Sequence, residues 1–269
     1  MSQQILLFRR LDVADVNAMP AWWFIAPPSP TAYVGFGQAL ALKCLSEEDR
    51  GAFQGVGIIH HDFRLRAEKI PRAPHEWSPH QFRGASLVDE KDYATPGIKG
   101  MALSLQPSVR CDVTTSIAVI FDGDVEIDDD RVAGFTHSAR LSGGQILNPH
   151  DPIRVGNMEE ARQAIGNGFS VHLREDLMQP KPGEDNLDAL LRATHPDAQT
   201  RAEMPWVMPS LLGYATITDI AQRAFARDGL PHAFAEPLVG LVQMKSLRQA
   251  EIPVWKYQRP HERVFSVGY

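Results

Sequence analysis

The chain has little of what builds several common protein classes. Cysteine occurs only at Cys44 and Cys111, too few and too far apart for a disulfide scaffold, so both are expected to be reduced thiols. No apolar run approaches the roughly 18 residues that a membrane-spanning helix needs. The start, Met-Ser-Gln-Gln before Ile5-Leu6-Leu7-Phe8-Arg9-Arg10, lacks the basic flank and long apolar stretch of a secretory signal. A cytoplasmic protein without a membrane partner is the expectation. Neither a His-x-x-x-His pair nor a Cys-x-x-Cys pair occurs, so no metal-ligand spacing is present. Gly-x-Ser-x-Gly, Walker and dinucleotide-binding fingerprints are missing as well, and neither a cofactor nor a catalytic residue is expected.

What is present is an ordinary globular composition: 269 residues, 43% hydrophobic and 22% charged, enough to bury a substantial core. The formal net charge of −6 is unusual for a free-standing nucleic-acid binder. The charge is unevenly spread, however. Acid concentrates between Asp122 and Asp130, whereas Arg64, Arg66, Lys69 and Arg72 form one basic stretch and Lys245, Arg248, Lys256, Arg259 and Arg263 another. Basic edges of this kind can hold a phosphate backbone on one face.

The first half reads as strand, helix, strand, insertion, strand, helix, strand. Residues 4–13 start with an apolar strand. Pro30-Thr31 opens a helix whose apolar residues recur from Tyr33 to Cys44, and Gly35 and Gly37 within it predict a close neighbour. Gly55–Leu65 and the β-branched Val109–Phe121 read as strands. Residues 70–100 lack periodicity and read as a loop. The acidic run suits the start of a short helix through Val132, Phe135 and Ala139, and Ser142-Gly143-Gly144 marks a turn before a brief strand. This order predicts an α+β, ferredoxin-like domain over 1–150 with an antiparallel sheet and an insertion at about 66–108. A more irregular, mainly β lobe over 151–269 would pack on it. Phe169–Leu173, Trp206–Ile217, Glu236–Met244 and Val254–Phe265 are its extended segments, with a helix at Leu187–Ala193.

Two features point to binding. Arg140-Leu141-Ser142-Gly143-Gly144-Gln145 sets a guanidinium beside two residues without side chains, a loop in which backbone N–H groups can approach a phosphate closely. On this reading Gly144→Val clashes with the phosphate and leaves the domain folded. Trp22-Trp23-Phe24, in a proline-rich loop, could stack single-stranded bases or anchor the core. His60-His61-Asp62 resembles a metal set, but neighbours on a strand face opposite ways, so His60 and His61 should not share an ion. One of them could instead serve as a general base in a metal-independent ribonuclease.

Ordered motifs along the chain resemble a known family. They include Leu6-Leu7, Asn17-Ala18-Met19, Pro28-Ser29-Pro30-Thr31-Ala32-Tyr33-Val34-Gly35-Phe36, Gln38-Ala39-Leu40, Gly55-Val56-Gly57-Ile58-Ile59-His60-His61 and Arg140 through Leu147. Gly168-Phe169-Ser170-Val171, Arg174-Glu175-Asp176-Leu177, Trp206-Val207-Met208-Pro209, Gly213-Tyr214 and Ala226-Arg227-Asp228 continue the series. Together they are similar to the Cas-five-type subunit of the type I-F (Csy) CRISPR surveillance complex. The resemblance implies a RAMP-superfamily fold related to the RNA-recognition domain, without cleavage activity. It also implies that the chain caps the 5′ handle of the crRNA and pairs with a large subunit. A first backbone (Cas-seven-type) subunit would abut it, with target DNA nearby. RNA contact then falls on Asn17, on Trp22, Trp23 and Phe24, on Arg140, Ser142, Gly143, Gly144 and Gln145, and on Arg227. The alternative within the superfamily is an endoribonuclease that processes CRISPR repeat RNA, with His60 or His61 as base. A protein-only interaction module is a third possibility.

Overall fold

The computed structural model describes residues 3–71, 73–85, 105–195, 202, 204–224 and 229–269. Four strands frame the first half: β1 (Gln3–Asn17), β2 (Phe53–Leu65), β6 (Leu105–Asp122) and the short β8 (Gly144–Ile146). They lie side by side in the order β2-β6-β1-β8, every neighbouring pair antiparallel. The helices α1 (Pro30–Cys44) and α2 (Asp129–Ser138) connect them. Pro30 occupies the first turn of α1, where its missing N–H costs nothing. Asp128 caps α2 by accepting from the Arg131 amide, and Asp129 and Asp130 favour the positive end of the helix.

The central strands are apolar on both faces because both faces are covered. Leu6, Phe8, Ile58, Ile117, Val119 and Phe121 pack with Tyr33, Phe36, Leu40 and Phe135 of α1 and α2. Ile5, Leu7, Ile59, Ala118 and Ile120 pack on the other side with Ala161 and Ile165 of α3 (Met158–Ile165). Unbroken runs such as Ile5-Leu6-Leu7-Phe8 are therefore required here. The sequence reading has no helix at α3, whose start is fixed by Asn157 accepting from the Glu160 amide. Gly37 meets the expectation of a close neighbour: a Cβ there would lie 2.6 Å from the Val56 side chain. Gly35 does not, since its nearest neighbour, the Tyr257 hydroxyl, would be 3.8 Å away.

The stretch expected to be a loop contains strands among its described residues. β3 (Ala67–Ile70) and β4 (Ala73–Pro79) form a hairpin, and β5 (Gln81–Ala85) pairs with β6. Side-by-side backbone bonding needs no apolar periodicity, which is why a polar stretch concealed it.

The remaining strands are β7 (Arg140–Leu141), β9 (Ile153–Val155), β10 (Phe169–Leu173), β11 (Val207–Thr216), β12 (Ala235–Ser246), β13 (Val254–His261) and β14 (Val264–Gly268). The second half is more regular than its sequence suggests. The pairings β2-β13-β14-β11-β12-β10 return to β2 and close a six-stranded ring. One edge of β2 holds β6, and its other edge holds Trp255 at Val56 and Phe169 at His60. Trp255 is fully buried within this junction, its Nε1 donating to the Val171 carbonyl at 2.9 Å. The helix α4 (Asn186–Thr194) packs on the outside through Leu190 and Ala193, against Leu241. No described helix is long and apolar enough to cross a membrane.

Candidate nucleic-acid interface

Three of the predicted elements converge at the C-terminal end of β1. Leu141 pairs with Gly144 across a two-residue turn, and both turn residues have positive φ, 48° at Ser142 and 80° at Gly143. This is the primed hairpin geometry, for which glycine is the natural second residue. The Ser142 carbonyl accepts from the Asn17 amide at 3.0 Å, while the Asn17 side chain accepts from the Met19 amide. The next residue, Ala18, donates to Val109 and accepts from Ala26, which ties down the base of the aromatic loop. Asn17, the glycine turn and the Trp22–Phe24 loop thus share one anchorage.

Within that anchorage the residues differ in what they offer. Arg140 is exposed, and its guanidinium makes no hydrogen bond or ion pair with other described residues. Gln145, its cross-strand partner, is exposed as well. Gly143 faces outward, with Arg110 Nη1 the nearest atom to a Cβ built there, at 3.8 Å. Gly144 faces inward: its Cβ would lie 2.6 Å from a Val16 methyl and 2.7 Å from the Ala14 carbonyl. The expectation for Gly144→Val is therefore corrected, because that change strikes β1 before it could meet any ligand. Trp22 is 79% exposed and Trp23 40%, whereas Phe24 is buried with Ala21, Ala26 and Val239. The aromatic loop combines an anchor and a free stacking surface. Arg227 lies outside the described residues.

Arg110 escapes sequence reasoning. It sits in β6 opposite Asn17, donates to the Asp15 carbonyl at 3.2 Å and stands beside Gly143. Only the register of β1 on β6 brings it there, and no local motif marks it. The basic stretch around residue 66, by contrast, is spent internally. Arg66 binds Asp112 at 2.7 Å and Asp15 at 3.0 Å, which holds the Asp112 carboxyl below its ordinary range. Arg64 lies 3.8 Å from Asp62, and Lys69 stands over the Trp77 ring. Arg72 lies outside the described residues.

His60 and His61 face opposite ways, as strand alternation requires. His60 is buried against Tyr33, with Nε2 3.4 Å from the phenol oxygen and Nδ1 without a partner among the described residues. His61 lies on the α3 side, with Nε2 2.7 Å from Ser116 Oγ. Burial pushes both rings down to about 4, helped by the neighbouring His61 for His60 and by Arg10 for His61. With values lowered this far, both rings are poor proton acceptors near neutral pH. Among the described residues no three His, Cys, Asp or Glu side chains gather as a metal set.

The family model described as CRISPR-associated protein (Cas_Csy2) matches residues 6–265. The chain belongs to the Csy2 family. It is thus a CRISPR-associated protein of the type I-F Csy group. No curated protein matches it. The match covers both halves, including the glycine turn and all of the closed ring but the last residues of β14.

Proposed function

We propose that this chain is a non-catalytic, RNA-binding subunit of a type I-F CRISPR interference complex that caps the 5′ handle of the crRNA. In this reading it fills the Cas-five-type position, docks the large subunit near target DNA and abuts the first backbone subunit. Family membership supports a place in such a complex. The strand order β8-β1-β6-β2, with α1 and α2 on one face, supports a ferredoxin-like, RAMP-type first domain. The observation that carries the RNA contact is the turn itself. A Ser142-Gly143 turn with outward-facing Gly143 is fixed to the end of β1 between Arg110 and Arg140, whose guanidinium has no partner among the described residues. Exposed Trp22 and Trp23 share the same anchorage. Backbone approach plus guanidinium plus aromatic faces suits a single strand with its phosphates and unstacked bases.

The test is co-purification of the tagged chain with its neighbouring gene products and a guide RNA, followed by sequencing of the bound 5′ ends. A defined repeat-derived 5′ handle, retained by wild type and lost at moderate salt in the Arg110→Ala/Arg140→Ala pair, is the expected result. Equal handle retention by that folded double variant would remove the turn from the site. RNA-free protein, alone and with partners, would end the reading as a whole.

A further inference from the structure

Midway along β1 the chain places two consecutive arginines in one pocket. Arg9 and Arg10 fall between the stretch of β1 paired with β9 (Ile5–Leu7) and the stretch paired with β8 (Val13–Ala14), so neither strand covers them. The register on β6 also slips between Phe8 and Leu11, and Arg10 has a φ of 49°. On a regular strand the two side chains would point to opposite faces. Here the bulge turns both toward a pocket of about 290 Å³ on the α3 side, lined also by Ser116, His150, Ala164 and Ile165.

The bulge is held from both sides of its backbone. The Arg10 amide donates to Ser116 Oγ at 2.9 Å, and Asn148 Nδ2 donates to the Arg10 carbonyl at 3.0 Å. Asn148 is itself fixed by the Asp12 amide at 2.7 Å, and the His150 ring is held to the Asn148 carbonyl at 2.9 Å. A left-handed arginine is strained and persists only where its surroundings over-determine it. Yet the guanidinium groups of Arg9 and Arg10, both on exposed residues, make no hydrogen bond or ion pair among the described residues. None of the side chains lining the pocket is acidic, in a chain whose formal net charge is −6.

We infer that this pocket is a second phosphate site, in which Arg9 and Arg10 clamp a phosphodiester of a nucleic-acid strand. Two guanidinium forks without partners among the described residues, in a preformed concavity, match the oxygens of a phosphate. Neither the glycine turn nor the aromatic loop contributes to it. The seven residue steps of β1 from Arg10 to Asn17 separate it from the turn by roughly 20 Å, allowing for the bulges. The inference rests on the RNA-binding reading and extends it to a different face of the chain.

Fluorescence anisotropy of the full chain with a labelled single-stranded RNA, titrated over a series of salt concentrations, tests it. Arg9→Ala/Arg10→Gly removes both forks and relieves the strained φ, so the variant should fold, as its thermal midpoint would verify. Its expected affinity is about tenfold lower, with the salt slope reduced by roughly 0.7–1.4 for one or two lost phosphate contacts. Arg10→Lys should keep most of the slope. An unchanged slope in the folded double variant overturns the pocket, and if Arg110→Ala/Arg140→Ala weakens binding in the same series, the turn reading survives alone. Loss of binding to labelled poly-glutamate, with RNA binding intact, overturns it in favour of an acidic protein surface. A wild-type chain that binds no RNA overturns both assignments.

Discussion

His60 and His61 are consecutive in the chain, yet they belong to two different environments. The face of the sheet under α1 and α2 is dry: Tyr33, Phe8, Phe36 and Trp255 pack in one core there, and His60 is buried beside Tyr33. On the opposite face α3 is only eight residues long and covers one end. The uncovered remainder carries His61, Arg9, Arg10, Arg64, Arg66, Asp62 and Asp112. The same alternating strands serve both faces, so the contrast comes from which helices cover them. Stability is concentrated on one side, and the groups free to meet a partner are on the other or at the strand ends.

The strongest way to break the dry side is Trp255→Ala. It opens a cavity and leaves the Val171 carbonyl without its donor, with an expected loss of about 3–5 kcal/mol by denaturant unfolding. Gly144→Ala should cost about 1–3 kcal/mol, because the obstructing atoms include the Ala14 carbonyl of the backbone. Acid sharpens the comparison next. His60, His61 and His172 have native values near 4, against an ordinary 6.5. The unfolded chain therefore binds protons that the native chain refuses, and stability declines as pH falls from about 6.5 toward 4. Thermal midpoints recorded across that range should drop, and His60→Gln should flatten part of the drop.

On the polar side the expected effects are small. Arg66→Ala breaks a partly exposed pair with Asp112 and Asp15 and should cost about 0.5–1 kcal/mol, less at high salt. Arg140→Ala should change stability by no more than about 0.5 kcal/mol while releasing bound RNA at moderate salt. A large stability loss in Arg140→Ala would show that the two faces are not divided in this way.

Much of the fold could be read from residue patterns, and the limits were physical. β-branched runs marked β2 and β6, Pro30 marked α1, and the acid-rich segment marked α2, because these are local signals. The ring around β2 could not be read, since it depends on Trp255 and Phe169 meeting a strand far away in sequence. The short α3 was missed although Asn157 and Glu160 carry its capping signal. At the candidate site the turn was legible but its division of labour was not. Gly143 and Gly144 are indistinguishable as letters, and only the packing of Val16 against Gly144 tells the structural glycine from the exposed one. Arg110 and the bulged arginines were invisible for the same reason, because register aims them.

The shared strand β2 also sets an order of events during synthesis. Its Val56 edge waits for Trp255, so a strand made early stays unprotected until about 200 more residues have left the ribosome, a long-range closure of the kind that slows folding. Through that interval Val56-Gly57-Ile58 presents an open, apolar, hydrogen-bonding edge to every other chain nearby. Truncations that end before Trp255 should therefore aggregate even when the glycine turn and the arginine pocket lie wholly within them.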